Sequence, residues 1–499
     1  MNNNAVQKIN ILCLFMIVPS WLYAADEYDT RLRLEQDLLQ QHREQQQALK
    51  QQQQMDQLPS LMIEGKMIHI NNNLNDLGQA LYLAVMQKQW QAASIYLPRY
   101  LGLAGYDVAL AKFAQAALAR AQGRLDHAEQ SFKEALNLQP QNIPIQLELA
   151  RLWTERQKNK EAKQLFNQIK VQLLARQDPL VPQIVKSIDI YLQGLYQRDA
   201  WQGLVSLGTR YSTNINSTSE KSTIWTIYAQ DQDGQNIPVR QVIRKTPDAI
   251  HATALDYEVT LNKRWSLSDY HGIALKSLSY GRFYRHDPDY NEMTFSLNLG
   301  YSYQNQHHQI LLAPIVEHRR YQNQHLSTAW GGRAEWMKVM GQDKAMKLEL
   351  VIKDIDHQIY RNQSGIETAT FATFWKVLPQ HWTLFGGIDW IDHNSQEQYF
   401  TAYQQQGLRL GLSKQCTSGL NMTLFSSFRW RQYDKFNPVL AQKRDDFEQN
   451  YTLLIRVPQW KFYQITPNFT YQYTRNKSSV NWLYTYDKHI LSLKLERRF

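Results

Sequence analysis

From Gly203 to the end of the chain, apolar and polar residues alternate with a period of two. Residues 491–496 show the pattern clearly, and it recurs in residues 294–303, 346–353 and 468–473. A period of two is typical of strands whose two faces meet different environments. Stretches of about 12–15 residues are longer than the usual strands of a soluble sheet. The pattern therefore predicts an outer-membrane β-barrel with one strand face toward lipid and the other toward a polar lumen.

Fourteen antiparallel strands can be placed in this region, an even number, as bacterial barrels require. With both ends in the periplasm, the external connections are long, including 214–251, and the periplasmic ones are tight; the external connection 322–325 is the short exception. Phe499 ends the last strand with the terminal aromatic residue that the barrel-insertion machinery reads. The predicted strands are 204–213, 252–265, 271–285, 291–304, 308–321, 326–340, 345–360, 367–378, 381–393, 401–415, 418–433, 444–457, 460–475 and 484–499.

The composition and the N-terminus fit an exported membrane protein. The chain has 14 Trp and 28 Tyr, which can supply the two aromatic girdles of a barrel. Met1–Ala24 is predicted to be a signal peptide that is cleaved before Ala25. Cleavage would remove Cys13. Cys416, the one remaining cysteine, cannot form an internal disulfide. After residue 24, no window offers the about 20 consecutive apolar residues of a membrane-spanning helix.

The residues before the barrel divide into an arm, a repeat domain and a linker. Residues 25–75 are Gln-rich and charged, which predicts a solvated helix or a disordered arm; a coiled coil that binds a partner is the alternative. Residues 76–176 carry tetratricopeptide-type helical repeats with a period of about 34 residues. Residues 177–202 are predicted to form a linker helix, and residues 203–499 the barrel. The alternative for the repeats is a generic helical bundle.

The clearest repeat runs from Ala109 to Asn142, where small residues allow two helices to pack closely and Phe132 fills the space between them. A second unit follows one period later, and a weaker copy precedes them. The positions that mark these units are Ala116, Gly123, Ala128, Phe132, Ala135 and Pro140, then Ala150, Ala162 and Phe166, and upstream Leu83, Trp90, Ala93 and Leu97. In the linker, Ile184, Ile188, Tyr191, Leu192, Leu195 and Tyr196 share one predicted face.

No catalytic motif was found, so we predict no enzyme, no cofactor, and no catalytic, cofactor-binding or metal-ligating residues. Two weaker alternatives are a metal site at His307–His308 and a hydrolase at the external rim. The hydrolase would use His286, Asp287, Asp289, Asp392 and His393. Arg429 and Arg431, with Arg475 nearby, indicate either a positively lined lumen or ion pairs across a packed interior.

Several short motifs follow one another in a specific order and spacing along the chain. They are residues 118–124 with Ala128 and Phe132, residues 147–151 with Ala162 and Phe166, residues 198–202, residues 211–216 and residues 493–499. Together they resemble the surface lipoprotein assembly modulator (Slam) family of type XI secretion. The resemblance covers about residues 76–499 and leaves out the Gln-rich arm and the 217–250 loop.

The resemblance implies an outer-membrane translocon that exports specific client proteins, either surface lipoproteins or secreted haem- or metal-acquisition proteins. The repeats would receive the client in the periplasm. The client would leave through the lumen or through a seam between residues 204–213 and 484–499. The implied partners are the client, periplasmic chaperones, the barrel-assembly machinery and outer-membrane lipid. We expect no nucleic-acid partner, despite the net charge of +10, and a monomer.

Two other functions combine a barrel with a periplasmic domain. Exopolysaccharide exporters join such repeats to a barrel, but they have longer repeat arrays and acidic, aromatic tunnels. A nutrient receptor needs a plug domain before the barrel, and here the repeats occupy that position in the sequence.

Overall fold

The computed structural model describes residues 29–36, 73–176, 178–230, 235–341, 343–396, 401–438 and 440–499. The predicted signal peptide, Cys13 and most of the Gln-rich arm lie outside this part of the chain. Residues 29–36 form a helix, α1, in which Asp29, Leu34 and Gln36 are buried. The prediction that the arm is solvated is therefore wrong for these eight residues. Within the described part of the chain, no helix combines the length and apolar character needed to cross a membrane.

Seven helices form three antiparallel hairpins followed by one long helix, which confirms the predicted repeat fold. The marker residues Ala116, Ala128, Phe132, Ala135, Ala150, Ala162 and Phe166 are all fully buried. Two predicted positions are exposed: the upstream repeat marker Leu83, at 36%, and Tyr196 of the predicted linker face, at 55%. The helices are α2 (Leu74–Met86), α3 (Trp90–Leu101), α4 (Val108–Ala121), α5 (Leu125–Leu138), α6 (Ile143–Glu155), α7 (Asn159–Leu174) and α8 (Val181–Arg198).

Fourteen antiparallel strands close into the predicted barrel, with β1 paired to both β16 and β4. The barrel strands are β1 (Gln202–Ser212), β4 (Ala252–Ser268), β5 (His271–Tyr284), β6 (Glu292–Gln304), β7 (His308–Tyr321), β8 (Gln324–Met340), β9 (Lys344–His357), β10 (Gly365–Leu378), β11 (Trp382–Ser395), β12 (Tyr403–Gln415), β13 (Asn421–Asn437), β14 (Gln442–Arg456), β15 (Ile465–Ser478) and β16 (Tyr486–Arg498). Short helix α9 (Asn481–Tyr484) precedes the last strand.

The long connection 214–251 is more ordered than the sequence suggested. It contains a two-stranded hairpin of β2 (Ser222–Gln230) and β3 (Asn236–Lys245), which is separate from the barrel sheet. Period-two alternation produces the expected two faces in the barrel itself. Leu491, Leu493 and Leu495 are exposed on the outer face of β16, while Ser492 and Lys494 are buried on its inner face.

Candidate functional site

The inner wall of the barrel is a dense network of ion pairs. A closed barrel of about eight strands is just filled by its own side chains, so a barrel of fourteen strands has room for more. The wall side chains lie in buried pairs such as Arg409–Asp389 at 2.5 Å, Lys494–Asp256 at 2.9 Å and Arg444–Asp446 at 2.6 Å. The lumen is therefore charged with both signs, and the salt-bridged alternative for the interior is confirmed.

The three arginines singled out from the sequence lie in different places. Arg429 is 1% exposed on the inner face of β13, with Glu448 at 3.4 Å. Arg431 also faces inward and donates to the side-chain oxygen of Gln405 at 2.8 Å and 3.1 Å. Arg475 lies on the outer face of β15, half exposed beside Asp487. Its proposed role in lining the lumen is wrong.

A cavity of about 700 Å³ lies between the repeats and the periplasmic mouth of the barrel. Its lining includes Arg151 and Tyr191 from the repeat domain, Lys276 and Glu335 from the barrel wall, and Glu35 from α1. The repeat domain therefore lies directly below the lumen. A protein bound to α6–α8 at this place would be next to the barrel opening.

Lys158, at the turn between α6 and α7, fixes the repeats to the barrel. Its ammonium group is 3.0 Å from a carboxylate oxygen of Glu129 and 2.8 Å from one of Asp269, which lies in the β4–β5 turn. Arg156 and Lys158 both lie over the ring of Tyr270 in the same turn. Lys158 thus links the core of α5 to a periplasmic turn of the barrel. Sequence patterns did not find this link, because its residues are distant in sequence.

The motif Arg198-Asp199, which was part of the family resemblance, forms a second junction. Arg198 donates to the Thr154 carbonyl at 2.8 Å and to Asn159 Oδ1 at 3.3 Å. Burial lowers the pKa of the Arg198 guanidinium to about 10, so this group stays charged at neutral pH. Asp199 accepts from Ser266 Oγ at 3.0 Å, at the end of β4. The motif therefore ties the end of α8 to α6, α7 and the barrel.

We predict that Glu129→Gln destabilises the repeat domain by roughly 1–3 kcal/mol at neutral pH, because partly buried Arg156 and buried Lys158 each lose one of their carboxylate partners. Burial opposes ionisation of Glu129, but hydrogen bonds from Lys133 and Lys158 outweigh it and lower its pKa to about 2. Because the pKa of Glu129 in the folded chain lies below its ordinary value of 4.5, the ionised carboxylate stabilises the fold above pH 4.5. This stabilisation is lost as the pH falls toward 2.

Thermal unfolding of the purified full chain in detergent, followed by helical circular dichroism, measures this effect. The gap between wild type and Glu129→Gln should be full at pH 7 and shrink below pH 4.5. Glu134→Gln is the matched control, since Glu134 lies on α5 like Glu129 and forms an exposed pair with Lys112 on α4. A constant gap from pH 7 to pH 3 would contradict the assignment.

The weaker chemical candidates are scattered. His286, Asp287 and Asp289 lie in the loop after β5, whereas Asp392 and His393 lie on β11. The ring of His393 is stacked on Tyr403, and its Nδ1 is 3.9 Å from Glu367. At the start of β7, His308 accepts a hydrogen bond from Trp336 Nε1 at 3.1 Å. Cys416 is half buried in the turn after β12. The structure does not join the rim residues into one cluster.

Among the described residues, one group of three carboxylates is close enough to hold a metal ion: Glu35, Glu335 and Glu349. Arg333 and Lys347 lie within ion-pair distance of all three. Two cations already occupy the space between these carboxylates, so the group forms an ion-pair cluster between α1 and the barrel wall.

Both domains match models of a known protein family. A family model described as "Surface lipoprotein assembly modifier" matches residues 201–499, and one described as "Surface lipoprotein assembly modifier, N-terminal TPR repeats" matches residues 63–166. The chain belongs to the surface lipoprotein assembly modifier family. The barrel match includes the 217–250 loop, which the motifs in the sequence had left outside, and the match to the repeats begins at residue 63 rather than at residue 76.

Two relatives illustrate the range of this family. The "Hemophilin secretion modulator" of Acinetobacter baumannii is 48% identical over 99% of this chain and 100% of its own length. The "Surface lipoprotein assembly modifier 1" of Neisseria meningitidis serogroup B is 25% identical over 84% of this chain and 82% of its own. Among solved structures, a Pseudomonas aeruginosa FadL homologue has a TM-score of 0.35 at 9% identity, covering 59% of this chain and 90% of that one.

The family places the barrel in the bacterial outer membrane with its repeat domain in the periplasm. The apolar outer face of the strands agrees with this location, because it would otherwise be in contact with water. The family names describe secretion and assembly.

Proposed function

We propose that this chain is an outer-membrane translocon that exports specific client proteins from the periplasm to the cell surface or the medium. The observation that carries this proposal is the near full-length similarity to a protein named as a secretion modulator for hemophilin. By this similarity, the client is a secreted haem- or metal-acquisition protein; a surface lipoprotein is the other class handled in the family.

The transport step uses binding alone, without nucleotide and without covalent chemistry. The client binds the repeat domain next to the cavity of about 700 Å³ and then engages the barrel mouth. Periplasmic chaperones deliver the client, the barrel-assembly machinery inserts the barrel, and the outer face contacts outer-membrane lipid. The chain acts as a monomer and binds no nucleic acid.

We propose the lumen as the route, in preference to the seam between β1 and β16. The seam is paired in continuous register from Leu204 opposite Arg498 to Ser212 opposite Ile490. Gly203 and Phe499 add two backbone hydrogen bonds of 2.9 Å and 3.1 Å at the periplasmic end. Opening the seam would expose the hydrogen-bonding groups of two strands to lipid, which is costly.

Locking the seam is therefore predicted to leave export unchanged. Gly203 and Phe499 form a hydrogen-bonded pair, so the alternating pattern makes Ser212 and Ile490 a non-hydrogen-bonded pair, with Cα atoms about 4.5 Å apart. That spacing suits a disulfide. The variant is Ser212→Cys with Ile490→Cys and Cys416→Ser. Client secretion is measured with and without reductant.

The control for this lock is Ser413→Cys with Thr423→Cys in the same Cys416→Ser background, which joins β12 to β13. The two hydroxyl oxygens of this pair are 3.0 Å apart. If only the seam lock stops secretion, and reductant restores it, the client leaves through the seam and the proposed lumen route is wrong.

The exporter proposal is tested by expressing this chain with a candidate client, encoded beside it, in a Gram-negative host that lacks the family. The client should reach the medium or the cell surface only when the chain is present. Equal amounts of external client with and without the chain would contradict the proposal.

A further inference from the structure

Helix α1 lies inside the barrel, far in sequence from the strands that surround it. Its charged residues, Asp29, Arg31, Arg33 and Glu35, stand at every second position and sum to zero net charge. Because a helix turns 100° per residue, consecutive members of this series point to nearly opposite sides. The pattern does not create one amphipathic face; it sends charges to opposite walls of the lumen.

The two carboxylates of α1 meet cations and donors on opposite walls. Asp29 pairs with Arg429 on β13, and it accepts from Ser427 at 2.7 Å and from Asn450 on β14 at 2.9 Å. Glu35 lies 2.5 Å from Arg333 on β8 and 2.7 Å from Lys347 on β9. Both acidic ends of the helix are thus matched by basic wall residues.

The two arginines of α1 meet wall carboxylates in the same way. Arg31 is 2.7 Å from Glu349 on β9 and lies over the ring of Phe371. Arg33 is 2.5 Å from Glu258 on β4. Between these charges, Leu34 is 2% exposed, and Leu32 packs on an apolar cluster that includes Phe371 and Tyr403.

Each charged wall residue that contacts α1 also has a partner on the wall itself. Arg429 has Glu448 at 3.4 Å, Arg333 has Glu335 at 2.6 Å, and Lys347 has Glu349 at 3.0 Å. Glu258 has Lys494 at 3.0 Å. A buried ion pair is costly to break when one charge stays buried without a partner. Because each of these wall residues keeps a wall partner, removal of α1 would avoid that cost.

We propose that residues 29–36 are a removable plug: the lumen contains a peptide-binding site for a short helix with charges of both signs, and the chain's own α1 occupies this site at rest. The bound helix closes the barrel, and the helix leaves the lumen when a client passes. The release step rests on the proposed export function, whereas the closure does not. The helix is specific because six strands contact it, and it is removable because the wall is neutralised without it.

Closure is tested by neutralising the plug with Asp29→Asn, Arg31→Gln, Arg33→Gln and Glu35→Gln, and by recording the purified full chain in planar lipid bilayers. Mean conductance should rise at least about tenfold over wild type, because the four neutral side chains lose their ionic partners on the wall. The matched control neutralises two exposed ion pairs with the same balance of charge: Lys112→Gln, Glu134→Gln, Lys245→Gln and Asp248→Asn. It should remain closed like wild type.

Release is tested by a lock, Asp29→Cys with Ser427→Cys in the Cys416→Ser background. The Ser427 hydroxyl lies 2.7 Å from the Asp29 carboxylate, so thiols at these positions can meet. The oxidised lock should be non-conducting and should stop client secretion, and reductant should restore secretion. The Ser413→Cys, Thr423→Cys barrel should secrete normally in both states, which separates the lock from an effect of any barrel disulfide.

Equal conductance of wild type and the neutralised plug would overturn closure. Normal secretion by the oxidised lock would overturn release. If the chain exports no client in any form, the proposed function fails; the conductance comparison still decides whether α1 closes the barrel. Heat-dependent gel mobility confirms for every variant that the barrel is folded and inserted.

Discussion

Phe132→Ala is expected to abolish export while the barrel remains in the outer membrane. Phe132 is fully buried on α5, with its ring 6.0 Å from that of Phe113 on α4. Removing a buried Phe side chain costs about 3–5 kcal/mol through lost burial and the cavity that remains. In a short repeat array each hairpin is supported only by its neighbours, so loss of the middle one separates α2–α3 from α6–α8.

The measurement is an immunoblot of the client in the medium and in the periplasm, with surface labelling of the barrel. We expect the client to accumulate in the periplasm and the secreted client to fall at least about tenfold. A loss of about 1.4 kcal/mol in the stability of the repeat domain already lowers its folded-to-unfolded ratio tenfold. Leu138→Ala on the same helix is the control, since Leu138 is 55% exposed. Normal secretion by a Phe132→Ala chain whose repeats are protease-sensitive would show that the repeats are dispensable.

The second large effect is expected at the junction between the repeats and the barrel. Asp269→Asn with Tyr270→Ala removes the carboxylate near Lys158 and the ring below Arg156 and Lys158. Asn suits position 269 because the backbone there has a φ of 47°, a left-handed conformation that Asn tolerates well. Loss of a partly buried ion pair and of cation–π contacts is worth about 1–2 kcal/mol.

This change should raise the fraction of molecules in which the repeats are separated from the barrel (the open fraction) about tenfold, because about 1.4 kcal/mol corresponds to a factor of ten. Limited proteolysis near residues 199–202 of the full chain measures the open fraction, and secretion should fall with it. Gln380→Asn with His381→Ala is the control, in a periplasmic turn that also has positive φ values. Unchanged proteolysis would mean that the side chains of Asp269 and Tyr270 are not needed to hold the repeats to the barrel, and that other contacts such as those of Asp199 and Glu161 do so.

The sequence predicted the barrel well because alternation is a local property of each strand. The strand at 308–321 agrees with the structure at both ends, and the predicted short external turn before β8 is confirmed. The largest shift is at β15, which begins at Ile465 rather than 460 because residues 458–464 form a turn with positive φ at Tyr463 and Gln464.

The side of Arg475 could have been read from its own strand. It shares the parity of Phe469, Tyr471 and Tyr473, which were assigned to the lipid face. Parity fixes the face because successive side chains alternate. By contrast, the β2–β3 hairpin was missed because a complete barrel can be drawn without it.

The lumen helix could not have been predicted from the sequence near it. Residues 29–36 belong to a Gln-rich segment, and their ionic and hydrogen-bond partners lie on strands from β4 to β14. No local period reveals such pairings, because they depend on how the closed barrel brings distant strands around one axis. The one local signal is the charge at every second position of α1, which becomes meaningful only once a lumen is known to surround it.

Export of client proteins by this chain is tested most directly by deleting its gene and comparing surface and medium proteins by mass spectrometry. We expect that one or two proteins disappear from outside the cell and are retained in the periplasm, and that the intact gene restores their export. An unchanged set of external proteins together with loss of capsule or matrix would contradict it and favour polysaccharide export.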